Sequence, residues 1–583
     1  MPIHNREIAD RFEHLADLLE IEGANPFRVR AYRNAARTVR GYPRSMADLI
    51  EDGADLTELP DIGDDLAKKI AVLVDSGELP LLDEVEQRTP AALSELMKIE
   101  GLGAKRVKIL HDALDIDSVE DLRKAVQSGE IRAIEGFGEK SEEKIRQRLE
   151  KYSGEERRTK LVEAEEIAAP LVEYLKKADG VKDIIIAGSY RRRKETVGDL
   201  DILVTATGAL SANSPATAVM DHFTGYDEVE EIVSRGDTRS TVYLRCGMQV
   251  DLRVVAQVSY GAAQHYFTGS RDHNIAVRKL GIKKGYKINE YGVFEGDKRI
   301  AGKTEKSVYD AVDLPFIPPE LRENRGELEA ARAGKLPRLV QPDQLRGNLH
   351  THTDATDGHD SLKAMAKAAA ERGFEYLAIT DHSRHLSVAH GLDEQQLLQQ
   401  IRAIDKLNET LEKNGDGLRL LKSIELDILE DGTLDLPDGV LDELDFVLCA
   451  VHYKFDLSRQ KQTERILRAL DNRHVNILAH PSGRLINQRE AYEFDLERVL
   501  EGAAERGCFI ELNAQPDRLD LTDAGCRMAK ELGVKISIAA DAHSTRGFDY
   551  LRFGVDQARR GWLEADDVIN TRPLKKLLAL FER

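Results

Sequence analysis

Across residues 346–583, short apolar runs at 376–380, 446–451, 476–479, 508–513 and 535–539 alternate with stretches of helical periodicity. Few folds satisfy that order. Each strand is followed by a helix that carries the chain back, so successive strands lie parallel in a covered sheet or a barrel. Several runs end on histidine or acid. His382 follows Asp381, while His452, His480 and Asp541-Ala542-His543 each follow an apolar run. His350-Thr351-His352 precedes Asp357-Gly358, and Glu425 lies in Ser423-Ile424-Glu425-Leu426-Asp427. Side chains at the carboxyl ends of parallel strands converge on one mouth. Ten of the 16 histidines lie beyond residue 340. A lone strand-end histidine is ordinarily structural, but imidazoles gathered with carboxylates suit zinc, manganese or iron.

The preceding residues are patterned differently, and 583 residues exceed what one core can hold. Residues 1–150 read as short helices in which apolar-x-Gly-x-Gly recurs: Leu59-Pro60-Asp61-Ile62-Gly63, Ile99-Glu100-Gly101-Leu102-Gly103 and Ile134-Glu135-Gly136-Phe137-Gly138. Glycines between two helices let a ligand approach the backbone and aim the N–H groups of the second helix at a phosphate. The pattern resembles the helix-hairpin-helix, a sequence-independent DNA backbone binder, with Gly63, Gly101, Gly103, Gly136 and Gly138 as the contact positions. Asp61 replaces a glycine in the first copy. A long helix ending near 178 and strand-like runs at 183–187, 200–204, 240–245 and 249–255 then predict an α+β region. The proline-bearing, charged passage at 315–346 reads as a linker.

A net charge of −20 argues against a wholly basic nucleic-acid binder, yet totals conceal local fields. Six arginines and no acid lie between Arg28 and Arg44, and Arg30, Arg33, Arg37, Arg40 and Arg44 step by three and four. On a helix they form one basic stripe, suited to a phosphate backbone or to a solvated face, with Arg33 and Arg37 the DNA-binding candidates. No apolar run approaches the ~20 residues of a membrane span. The start lacks the apolar core of a secretory signal, so a cytoplasmic protein is expected. Cys246, Cys449, Cys508 and Cys526 are scattered and read as core residues.

Between these regions lies Gly188-Ser189-Tyr190-Arg191-Arg192-Arg193, followed by Gly198-Asp199-Leu200-Asp201. A Gly-Ser turn with basic residues holds a triphosphate by backbone N–H groups and charge. Two carboxylates two residues apart point to one face of a strand, where they hold metal ions. Asp251, in Gln249-Val250-Asp251-Leu252-Arg253, supplies a third carboxylate from a neighbouring strand. Such a set predicts two-metal nucleotidyl transfer, with Asp251 as base or ligand.

With Tyr266-Phe267-Thr268-Gly269-Ser270, Asn274, Arg278 and Lys287-Ile288-Asn289-Glu290-Tyr291 added, residues 1–318 resemble the X family of DNA polymerases. The resemblance implies that Asp199, Asp201 and Asp251 bind Mg2+ or Mn2+ and that Ser189, Arg192 and Gly198 contact the triphosphate. It also implies that Tyr266, Phe267 and Gly269 line the incoming sugar, and that Asn274 and Arg278 reach the minor groove. Lys69 falls where some members carry a Schiff-base lysine for lyase chemistry. That chemistry requires an uncharged amine, and the neighbouring Asp64 and Asp65 favour the charged one.

The C-terminal region resembles the PHP (polymerase and histidinol phosphatase) domain, a distorted β/α barrel. The resemblance implies that His350, His352, Asp357, His382, Glu425, His452, His480, Asp541 and His543 hold up to three ions of Mn2+, Zn2+ or Fe2+. Arg484, Asn513 and Arg518 are candidate contacts to a substrate phosphate, or packing residues. The expected class is thus multidomain α and α+β. Residues 1–90 form a helical DNA-binding domain, 91–153 a helix-hairpin-helix domain, 154–256 a nucleotidyltransferase palm and 257–318 a thumb, with 319–345 the linker and 346–583 the PHP barrel. The expected protein is a monomeric repair polymerase that takes gapped or nicked duplex DNA and deoxynucleoside triphosphates, without a membrane. It would carry 3′–5′ exonuclease, 3′-end-processing or abasic-site endonuclease activity. The rivals are a hydrolase using an inert polymerase half as a DNA platform, and a scaffold that recruits repair proteins.

Overall fold

The computed structural model describes residues 5–42, 46–59, 61–99, 101–151, 158–206 and 215–582. They fall into two compact units, Met1–Arg157 and Arg158–Arg583.

The described residues of the first unit are helical or in turns. Ile8, Phe12, Leu15 and Leu19, spaced by three and four, form the buried stripe of helix Asn5–Ile21. They pack with Val29, Tyr32 and Ala36 of helix Pro26–Gly41, where Phe12 meets Tyr32 edge-on at 5.6 Å. Pro26 opens that second helix and the Asn25 side chain caps it, accepting from the Phe27 N–H at 2.9 Å. The three glycine motifs share one backbone. Asp61, Gly101 and Gly136 have φ of +60°, +81° and +87°. The next residue, Ile62, Leu102 or Phe137, is buried, and its N–H donates to the carbonyl three residues back at 3.2, 2.9 and 3.0 Å. Helices Asp64–Ser76, Ala104–Leu114 and Glu139–Lys151 follow directly. Aspartate is among the few non-glycine residues that tolerate this conformation, so the substitution at 61 preserves the turn.

In the second unit, a five-stranded sheet has the order Val181–Ile186, Asp199–Ala206, Gln249–Val255, Arg239–Leu244, Val229–Arg235. Asp199–Ala206 and Gln249–Val255 run parallel with Asp201 opposite Asp251, and the other pairs are antiparallel. Alternation along Asp199–Ala206 buries Leu200 and Ile202 and leaves Asp199 and Asp201 half-buried on the other face. Helices Tyr260–Thr268 and Arg271–Lys283 and a three-stranded antiparallel sheet at 286–301 follow. The expected linker is packed structure instead. It carries helix Glu327–Arg332, and Leu321, Leu328, Ala331 and Leu339 join the core of the preceding α+β layer. Two of its charged residues are buried with partners, whereas Glu329, Arg332, Lys335 and Arg338 stay exposed. Arg322 is fully buried against Glu305, and Glu327 accepts from the Asn324 and Arg325 N–H groups at 2.8 and 2.7 Å.

The last region is a parallel barrel. Gly347–Asn348, Tyr376–Ile379 and Arg419–Lys422 pair in sequence order, as do Glu425–Asp427, Val447–Ala450, Val475–Leu478, Phe509–Asn513 and Ile536–Ala539. A His382–Glu425 bridge joins the two sets, and a Thr351–Ala542 bridge closes first strand on last. Helix Leu574–Phe581 plugs the end where the strands begin, its Phe581 stacked on Phe446 at 4.6 Å. The strand ends carrying histidines lie at the opposite mouth.

Candidate active sites

The palm site is made by adjacent parallel strands. Ligand atoms of Asp199, Asp201 and Asp251 lie within 4.8 Å of one another. Burial, then the carboxylates of Asp199 and Asp251, push the Asp201 carboxyl up to about 7, and burial and Asp251 raise Asp199. Two carboxyls raised in this way, crowded against a third acid, fit a cation. Asp251 is oriented by Thr241, whose hydroxyl donates at 2.6 Å, and by Gln249 at 2.9 Å. Gly188 has φ +60°, and a Cβ there would lie 2.7 Å from Asp201 Oδ2, so only glycine lets the turn abut this carboxylate.

The arginines of that turn do not face an open phosphate site. Arg191 makes a bidentate pair with Glu305 at 2.9 and 2.8 Å. Arg193 pairs with Asp556 at 2.7 Å and with Glu165 at 2.6 Å. Arg192, expected on the triphosphate, donates to Glu323 at 3.0 Å and to the Thr268 carbonyl at 2.9 Å. Ser189 lies in the short helix Gly188–Arg191, and Gly198 directly precedes Asp199. Tyr266 and Phe267 are edge-to-face at 5.0 Å, with Arg278 over Tyr266 at 6.0 Å and Arg253 over Phe267 at 4.5 Å. The Asn274 amide donates to the Tyr266 carbonyl at 2.6 Å, and a Cβ on Gly269 would strike Asn274 Oδ1 at 2.8 Å. The structure therefore brings these residues together. Arg253, unassigned in sequence, shares the face of Asp251 by its spacing of two.

In the first unit, Gly63 and Gly103 precede helices that no side chain caps. A Cβ on Gly63, Gly103, Gly136 or Gly138 would meet nothing within 4 Å, whereas one on Gly101 would strike Arg148. Arg33 is not free for DNA, being paired with Asp17 at 2.7 Å and Glu20 at 2.5 Å. The side chains of Arg37 and Arg40, and all of Arg44, lie outside the described residues. Lys69 pairs with Asp65 at 2.5 Å.

At the barrel mouth all nine residues converge. Glu425 is the hub. Its Oε1 faces Nε2 of His480 and His452 at 2.8 and 3.2 Å, and its Oε2 faces His382 Nδ1, His350 Nε2 and His352 Nε2 at 3.0, 3.3 and 3.5 Å. Asp541 Oδ1 lies 3.2 Å from His352 Nε2 and 3.5 Å from His350 Nε2. Asp357 Oδ2 lies 3.4 Å from Nε2 of both His382 and His543. The set fits divalent ions. Nε2 of His350 and His352 face each other at 3.1 Å, and Nδ1 of His352 and of His480 are buried without a hydrogen-bond partner. Burial opposes charge on His382, yet Glu425 and Asp357 carry it up to about 10, whereas burial, His382 and His543 push His352 down to about 3.

An outer layer of carboxylates was missed in sequence. Glu511 receives His350 Nδ1 at 2.6 Å and the His480 N–H at 2.8 Å, and Asp427 receives His452 Nδ1 at 2.9 Å. Asp381 ties Thr353 and Thr356 to its own strand end. Such partners orient ligating imidazoles. Asp427 could have been found, since it shares a strand face with Glu425. Asn513 belongs here too, donating to Asp541 Oδ2 at 3.0 Å, with Arg518 Nε 3.8 Å from the same oxygen. Arg484 takes the packing alternative. It turns from the mouth to Glu195 of the palm, at 3.2 and 2.6 Å, and to the carbonyls of Arg518 and Leu519 at 2.9 and 2.5 Å.

A palm with three carboxylates, a thumb and a histidine-lined barrel define a protein with two separate phosphoryl-transfer centres. Known families match in the same order: a helix-hairpin-helix domain at 3–79, a SAM-like helix-hairpin-helix tandem at 93–151, a DNA polymerase beta palm at 159–236, a DNA polymerase beta thumb at 263–323 and a PHP domain at 348–515. The DNA polymerase/3′-5′ exonuclease PolX of Bacillus subtilis (strain 168) is 36% identical over 585 residues, covering 100% of both chains. A probable phosphatase of Thermoanaerobacter sp. (strain X514) is 31% identical over 239 residues, 38% of this chain and 89% of its own. Another, from Caldanaerobacter subterraneus subsp. tengcongensis, is 32% identical over 227 residues, 36% of this chain and 80% of its own. The chain belongs to the PolX family, X-family DNA polymerases with a C-terminal PHP domain.

Proposed function

We propose that the chain is a template-directed DNA polymerase that fills short gaps during repair, and that its barrel removes nucleotides or blocking groups from 3′ ends. One observation carries the reading: a three-carboxylate palm site and a nine-residue barrel site occur on one chain, each with its donors within reach of one another. The full-length likeness to a polymerase with 3′-5′ exonuclease activity supports it.

In the palm, Asp199, Asp201 and Asp251 would hold Mg2+ or Mn2+, which supplies charge neutralisation at the attacking and leaving oxygens. Ser189 and Gly198 bracket the triphosphate, and Tyr266 and Phe267 exclude a ribose 2′-hydroxyl. Asn274 fixes the carbonyl of Tyr266. In the barrel, the nine residues would hold Mn2+, Zn2+ or Fe2+, which lowers the pKa of a bound water. Glu511 and Asp427 fix the imidazoles His350 and His452, while Arg518 meets the substrate phosphate. Gapped or nicked duplex DNA reaches the chain through the Gly101, Gly103, Gly136 and Gly138 turns. The protein acts as a cytoplasmic monomer, and incision at abasic sites draws on the same barrel. Among the described residues no helix is long and apolar enough to cross a membrane.

The test is a gapped duplex bearing either a 3′-hydroxyl or a 3′-phosphate. Wild type extends both, Asp199→Ala trims without extending, and His350→Ala extends only the hydroxyl end. Trimming without extension by wild type would leave the polymerase half a DNA platform, and neither activity would leave a scaffold.

A further inference from the structure

The loop after His382 is built, not slack. The Ser383 hydroxyl and the His385 N–H both donate to Asp435, at 2.8 and 3.0 Å, and the Leu392 N–H returns to the His382 carbonyl at 2.7 Å. A Cβ on Gly391 would strike the Ser383 carbonyl at 1.9 Å. Yet this anchored loop holds Val388 at 89% exposure, the most exposed large apolar side chain among the described residues. In the same loop the exposed His385 ring lies 4.5 Å from the ring of Tyr453, at 41°.

These rings follow metal-binding residues in the chain. His382 and His452 meet edge-to-face at 5.2 Å, and His385 and Tyr453 are their neighbours, three and one residues on. Tyr453 is held by two contacts. The Arg465 guanidinium lies 4.7 Å from its ring, and its hydroxyl accepts from the Glu430 N–H at 2.8 Å. Arg384 and Lys454 add exposed positive charge, each only loosely paired, with Glu394 at 3.7 Å and Glu430 at 3.9 Å. Fixed aromatic rings flanked by basic side chains suit unpaired nucleotides, because every base has a face to stack and the charges track the backbone.

We propose that His385 and Tyr453 form a stacking platform for the last bases of a single strand whose 3′ end enters the barrel, with Val388 a wedge against the neighbouring base pair. This rests on the 3′-end hydrolysis proposed above. A matched 3′ terminus must then be frayed before it is cut. Arg384 and Lys454 take the phosphates behind the scissile one, and Val388 replaces the stacking that the terminal pair loses.

Full-length protein would be assayed on a single strand, a duplex with a mismatched 3′ end and a matched duplex. Each rate is divided by that for bis(p-nitrophenyl) phosphate, which needs the ions but no base. For His385→Ala that ratio should fall about tenfold on the single strand and the mismatched end, through KM. His385→Phe should restore it. Val388→Ser should lower it on the matched duplex most. Unchanged ratios for both His385→Ala and Val388→Ser would overturn the platform. Equal losses in His385→Ala and His385→Phe would also overturn it, showing that the imidazole rather than stacking matters. Wild type that cleaves the aryl ester but no DNA would instead remove the hydrolytic reading on which the platform rests.

Discussion

Arg484 separates what a motif suggests from what its side chain touches. As a phosphate contact, its loss would weaken substrate binding alone. The structure makes it a seam residue, with side-chain exposures of 13% for Arg484 and 33% for Glu195. Arg484→Met removes the two bonds to Glu195 and the two to the Arg518 and Leu519 carbonyls. Breaking a buried pair by removing one partner costs about 3–5 kcal/mol. Glu195 keeps a third of its surface in water and a 3.4 Å contact from Gln557, which lowers the expected cost to roughly 2–4 kcal/mol. Glu195→Met should cost a similar amount, because it leaves the buried Arg484 guanidinium without its carboxylate. The double variant Arg484→Met/Glu195→Met should recover about 2 kcal/mol of the summed loss. Thermal unfolding of the four proteins, followed by calorimetry, measures this. Unshifted midpoints for both single variants, with DNA-end hydrolysis down more than tenfold for Arg484→Met, would refute the seam and restore the phosphate contact.

Gly188→Ala puts a Cβ 2.7 Å from Asp201 Oδ2 at a strained φ, so extension should fall about 100-fold in kcat, a larger loss than any in hydrolysis by the barrel across the seam. Glu323 is held at about 2, burial being outweighed by Arg560, Arg192 and Lys194. Because the folded value is depressed, the associated stability is present above the ordinary glutamate range and lost as pH falls through about 2. It should amount to on the order of 3 kcal/mol, and Glu323→Gln should flatten the acid limb of an unfolding-versus-pH curve between about pH 4.5 and 2. Removing divalent ions by chelation should lower the unfolding temperature, because the imidazoles and carboxylates around Glu425 then face one another uncompensated. Readdition of Mn2+ should restore it in wild type and only partly in Glu425→Gln.

The sequence discloses the parts of this molecule whose determinants are local. Alternating helices and apolar runs specify the parallel barrel, Asp199 and Asp201 share a strand face by their spacing, and the repeated glycine turns mark the hairpins. It does not disclose partners. Arg192 meets Glu323 at a separation of 131 residues and Arg484 meets Glu195 at 289. Motif matching therefore places an arginine near a site without saying what occupies its guanidinium. The linker fails for the same reason: no local signal marks Arg322 as the buried partner of Glu305. Glu511 went unseen because a carboxylate in a buried strand has no marker of its own. Only its contact with His350 gives it a role.

Those long-range pairs share one location. Arg193 reaches Asp556, Arg560 donates to the Arg192 carbonyl at 2.8 Å and pairs with Glu323 and Asp523, and Arg484 reaches Glu195. Ile486, Leu519 and Phe553 of the barrel are buried in the palm's own core. The palm turn beginning at Gly188 and the barrel loop from His480 to Arg484 are thus two sides of one packed seam. Packed seams do not deform continuously, so displacing either turn shifts the other side. A substitution within one metal cluster should remove one activity, whereas a substitution in the seam should alter both. Comparing extension and trimming for Arg193→Met distinguishes such coupling from two sites that merely share a chain.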